Sequence, residues 1–165
     1  MDVPGHGLTK PIWTDADFAQ MGWHDSAIHG FHIDHDYDFD VNRYDFVFDL
    51  DYLTRWILID DSHFMFWVAP ATLAFHNAHT IEIDIDSIVG DIEVQELRRT
   101  ESRLTPNGIM TEYLWVLDLQ QGRISLWATG FTQYFRRWPI YKQGQWFTLE
   151  ERGGLSFART LDEPR

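Results

Sequence analysis

The side chains with the richest chemistry gather early in the chain: His24, Asp25, His29, His32, Asp34, His35 and Asp36. Imidazole and carboxylate are ligands for zinc, manganese or iron, so two His and one carboxylate from this stretch could form a metal site. The spacing weakens that reading. His29 and His32 are three apart and fall on opposite faces of a strand. His32 and Asp34 share a face, but next to a turn. A solvated polar edge explains the same residues, and no metal ligand is assigned. His24 and Asp25 are expected to order the chain entry, with Asp25 accepting backbone N–H bonds. With Trp23 they also form a candidate ligand entrance. Ser26, His24 and Asp25 are sequence neighbours, and neighbours on one strand cannot point at one another in triad geometry.

Two carboxylate ladders follow. Asp49 and Asp51 share one face of one predicted strand, and Glu82, Asp84 and Asp86 share one face of another. Were these strands adjacent, like charges would repel unless Arg98, Arg99, Arg123, a metal ion or a basic partner lay between them. On separate strands they read as solvent faces. Paired carboxylates and abundant aromatics also suit a glycosidase, but nothing in the spacing requires one. There is no Gly-rich phosphate loop. No catalytic residue and no cofactor is assigned, and the enzyme class is the weaker one.

The elements that must position these groups are strands. The chain has 165 residues, 16% of them aromatic, which favours pleated, half-buried surfaces. Residues 1–13 are rich in Pro and Gly and read as a loose lead-in, with a single β domain over 14–165. Thr14 and Asp17 form a capping box for a short helix that Gly22 ends in a left-handed conformation. Alternation predicts strands over 27–34 and 43–53, with Phe46, Phe48, Leu50 and Tyr52 on one face. An acidic connection, 35–42, lies between them. The apolar run 64–69 is a covered strand, and Pro70 demands a bend, a bulge or an edge. Ile81, Ile83 and Ile85 should face inward. Asn107-Gly108 and Gln121-Gly122 mark hairpins, Gly130 suggests a bulge, and Gly153-Gly154 a last small hairpin pairing 147–149 with 155–157. The expected fold is mainly β: an antiparallel sandwich or barrel-like sheet of roughly eight to ten strands with one short N-terminal helix.

Phe18-Ala19-Gln20-Met21-Gly22-Trp23-His24-Asp25-Ser26, then Asp49-Leu50-Asp51-Tyr52, resembles an uncharacterised bacterial protein family of similar length. The likeness continues through 66–73 with Phe75-His76-Asn77, through 122–124 with 128–131, and through 152–157. It implies no activity. The opening His-Asp-small-x-Ile strand is also similar to small immunity proteins of polymorphic toxin systems. That likeness transfers no functional residue, but it implies a neutralising role.

The net charge is −13, which disfavours nucleic acid and anionic membranes and favours a basic partner. There is no Cys, so disulfides and thiolate chemistry are excluded. No apolar run approaches the roughly 20 residues of a membrane span, and the start lacks a secretory pattern, so a cytoplasmic location is expected. The expected function is a non-enzymatic protein-binding module, of which an immunity-type protein is one form, that meets a basic protein through Asp49, Asp51, Glu82, Asp84 and Asp86. The alternative is a small-ligand-binding β-barrel or metal-dependent enzyme using the cluster near residue 24. A homodimer through exposed strand edges near Pro70 is a further possibility.

Overall fold

In the computed structural model, residues 3–36 and 43–162 are described; of the acidic connection, 37–42 fall outside them. Among the described residues ten strands form two antiparallel sheets. The first contains β1 (Ile12–Thr14), β9 (Gly130–Phe135), β4 (Phe64–His76), β3 (Arg43–Leu58) and β2 (Ala27–Asp36) in that order, with β10 (Ile140–Lys142) also paired to β4. The second runs β5 (His79–Ile85), β8 (Gly122–Ala128), β7 (Thr111–Leu119), β6 (Val94–Leu104).

The ladder of β4 with β9 continues across a corner into that of β5 with β8. Thr129 N donates to His76 O at the corner, and Asn77 and Thr80 take left-handed φ of 52°. At the other end, Asp25 N and Ile28 N donate to Val94 and Ile92, and Val94 N returns to Ser26 O. These bonds join the sheets locally, and the barrel does not close.

Alternation fills the space between the sheets. Phe46 sits opposite Phe75, Phe48 opposite Leu73, and Leu50 opposite Ala71, all fully or almost fully buried. Trp115, Leu117, Ile124 and Leu126 answer from the second sheet. Complementary large and small side chains give the dense packing a protein interior requires. These aromatics occupy the inward face that a ligand-holding barrel would leave open. Ile81 and Ile85 pack on this core, but Ile83, on the same edge strand, is 46% exposed.

Several local expectations change. The helix is a 3-10 turn, Asp15–Gln20, with the capping box of Thr14 and Asp17 in place. Its C-cap Met21 is extended, and the left-handed residue is Asp25, at φ 67°, rather than Gly22. Residues 4–8, expected to be loose, pack on the β3–β4 hairpin: Trp67 Nε1 donates to Pro4 O, Arg55 to Gly5 O, and Leu8 joins the core. Ile12 and Trp13 already belong to β1, beside β9. Gly130 begins β9, where a Cβ would stand 2.4 Å from the Asp15 carboxylate.

Pro70 lies in the middle of a sheet, buried, with no exposed edge beside it. Its carbonyl accepts from Arg136 N, just past the end of β9. A residue's N–H and C=O point to the same side of a strand, so the missing donor faces the gap between β9 and β10. The hairpin expected at Gly153-Gly154 is absent. Thr148 and Glu151 form a second capping box, Leu149–Arg152 is a one-turn helix, α1, and Gly153 closes it at φ 78°. No helix among the described residues is long and apolar enough to cross a membrane.

Candidate functional site

The outer face of the first sheet is covered by the C-terminal segment from Trp146 onward. Asp49 and Asp51 project from β3 into that layer, both at 0% exposure. They are therefore not part of an exposed acidic face, contrary to the sequence expectation. Arg152 donates to Asp49 Oδ2 and Oδ1 at 2.6 and 2.7 Å and to Asp51 Oδ1 at 3.0 Å. Arg136 adds a 2.6 Å bond to Asp49 and another to Thr72. The amides of Ser156 and Phe147 donate to Asp49 and Asp51. Burial opposes ionisation of Asp49, but the bonds from Arg152, Ser156 and Arg136 outweigh it and hold the carboxyl below its ordinary value. The strand face read as solvated is a buried lattice of compensated charge.

Asp51 also holds His29, whose Nε2 lies 2.8 Å from Oδ2. His29 lines a cleft of about 350 Å³ between the start of β2, residues 90–93 and residues 146–149. Glu93 and Trp146 line it too. Burial, a hydrogen bond to Asp25 and the charges of Asp25 and Asp91 raise the Glu93 carboxyl above its ordinary value, with His24 acting against them.

The expected entrance residues lie beside this cleft in separate roles. Trp23 is buried and donates from Nε1 to Gln133 at 2.8 Å. His24 is exposed, 3.1 Å from Asp25 and against the Trp56 ring. The Asp25 carboxylate meets His24 and Gln145 rather than backbone amides. His32 lies on Phe157, and Asp34 meets Arg159. The described side chains of the His/Asp cluster thus disperse, that of Asp36 lying outside the description, and no group of three or more such side chains among the described residues could hold a metal ion.

Glu82, Asp84 and Asp86 are exposed, on and just beyond β5, in the other sheet from Asp49 and Asp51. The two ladders do not meet. Arg98 and Arg123 bind Asp118 instead. Glu112, buried on β7, is saturated by His79 and Arg103, and Arg103 stacks on Trp127.

Beyond the C-terminal cover, β3 and β4 project as a hairpin, flanked by β10 along 66–68 of β4. One side, carrying Arg55 and Trp67, is covered by residues 4–8. On the other, Phe147 packs on Leu53, Phe66 and Val68. Past it the face is open. Trp56 and Phe64 are each 44% exposed and Leu58 59%, with Trp56 against Phe64 and Phe66. Sequence reading stopped this strand at Leu53 and missed the face. The alternation that could have revealed it is broken by the bulge between Leu53 and Arg55.

Comparison with family models, curated proteins and solved structures finds no match to this chain.

Proposed function

We propose that this chain is a protein-binding module that docks a basic partner through the open aromatic face of the β3–β4 hairpin. The observation that carries the reading is the one-sided cover of that hairpin: Trp56, Leu58 and Phe64 remain exposed together while the opposite side is packed. Contiguous apolar surface rimmed by polar groups is typical of interfaces, and Trp is enriched among residues that dominate binding energy. Asp60, Asp61 and His63 rim this face at the hairpin tip. With a net charge of −13, the protein attracts a partner with a basic rim and speeds its arrival. Glu82, Asp84 and Asp86 contribute to that field from the second sheet. The resemblance to immunity proteins supports a neutralising role, in which stoichiometric binding blocks the partner's own surface.

The test uses a partner first captured on the tagged chain and then purified. Its affinity is measured for the natural chain and for Trp56→Ser with Phe64→Ser, folding being checked by circular dichroism. The expected loss is about 100-fold, and association should slow as salt rises. Equal affinity for both chains overturns the reading.

A further inference from the structure

We infer that the cleft between the start of β2, residues 90–93 and residues 146–149 is a recognition pocket for a guanidinium or ammonium group, filled by an arginine or lysine side chain of the docked partner. The source of that group rests on the protein-binding reading. The chemistry of the pocket rests on its own walls.

The first wall is His29. The Asp51 carboxylate accepts from Arg152 and Phe147, and its Oδ2 lies 2.8 Å from His29 Nε2. With Nε2 as the donor to Asp51, the Nδ1 of a neutral ring is an acceptor. Among the described residues no donor meets Nδ1, and the side chain is 15% exposed. The second wall is Glu93, whose carboxyl lies against that of Asp25, with Asp91 also lining the cleft. Among the described residues no Lys or Arg lines the cleft. The third is Trp146, 43% exposed, whose ring offers a negative face to a cation. Ile92 and Leu149 line the cleft beside these groups, apolar surface for a methylene stem.

Acceptors, carboxylates and an aromatic ring with no cation of their own match a group that is positive, planar and rich in N–H donors. At about 350 Å³ the cleft is at the lower end of small-molecule sites, which span roughly 300–1,000 Å³. It also adjoins the aromatic face. His24 touches both the Trp56 ring and Asp25, and Asp25 in turn meets Glu93 of the cleft wall.

The test titrates agmatine into the isotope-labelled natural chain and follows backbone amide resonances. Saturable shifts confined to residues 27–29, 90–93 and 146–149, with a dissociation constant of about 0.1–5 mM, are expected. Glu93→Gln should weaken binding about tenfold, Asp91→Asn should weaken it less, and Glu82→Gln, in the other sheet, should leave it unchanged. An uncharged urea of the same length should not bind. No saturable shift at about 20 mM agmatine, or equal binding of the urea, overturns the inference. The two readings fail separately. Agmatine binding with undiminished partner affinity in the Trp56/Phe64 variant removes the docking face and with it the partner side chain, leaving the pocket's cation chemistry. Loss of partner affinity without agmatine binding removes the pocket.

Discussion

Arg152 grips Asp49 from 103 positions away, with Nη1 on Oδ2 at 2.6 Å and Nη2 on Oδ1 at 2.7 Å, both side chains at zero exposure. The same guanidinium reaches Asp51, so one residue of α1 ties the C-terminal segment to β3. A fork of donors in fixed geometry suits this double contact. Arg152→Ala leaves two buried carboxylates short of a partner and should cost about 3–5 kcal/mol in urea unfolding. Arg152→Lys should recover little of that loss, because a single ammonium cannot span both carboxylates. A loss below about 1 kcal/mol for Arg152→Ala would contradict the burial of this pair.

Acid should release the C-terminal segment before the core. The Asp49 carboxyl is held below its ordinary value of 3.8 in the folded chain. A carboxyl depressed by folding contributes stability that is present above the unfolded value and is lost as pH falls through the folded one. Hydrogen exchange measured from neutral pH down to about pH 3 should show the amide of Ser156 losing protection first, since it donates to Asp49. Protection that persists there while the core strands open would reverse the expected order.

Glu93 behaves in the opposite sense. Its carboxyl is raised by burial, by the hydrogen bond to Asp25 and by the charges of Asp25 and Asp91, with His24 opposing. Folding then binds its proton more tightly, so stability falls as pH rises from the ordinary value of 4.5 through the raised one. Glu93→Gln should raise the melting temperature at pH 7 by a small amount and leave it unchanged at about pH 4. Melting curves across that range decide it, and a variant destabilised at pH 7 would show Glu93 to be compensated.

Gly122 turns the chain from β7 into β8 at φ 145°, and a Cβ there would stand 1.9 Å from the Asp84 carbonyl oxygen. Gly122→Ala must push β5 away from β8, at a cost of at least about 2 kcal/mol. Thermal unfolding and amide protection along 82–85 test this. A variant with natural stability would mean that the edge strand shifts freely.

The legible parts of this protein were those set by neighbours in sequence. The alternation of Phe46, Phe48, Leu50 and Tyr52 placed the inner face of β3, and the Thr14–Asp17 box placed the short turn before Trp23. The same box at Thr148–Glu151 was equally visible, but the glycines after it were read as a hairpin turn when they cap a helix. Of the candidate site residues, Glu82, Asp84 and Asp86 are exposed as alternation implies. Asp49 and Asp51 obey the same alternation yet are fully buried.

The sequence by itself determined a mainly β chain, its strand faces and most of its turns, because these depend on side chains two to four positions apart, and its acidity, which is a matter of composition alone. Only the tertiary structure decided which outward face stays wet. Alternation separates two faces of a strand but does not say what lies over either, and the cover over Asp49 and Asp51 comes from Arg136, Phe147, Arg152 and Ser156, far along the chain. The same C-terminal segment stops at Phe147 over the hairpin, so its reach leaves Trp56, Leu58 and Phe64 open and brings Trp146 to the wall of the cleft.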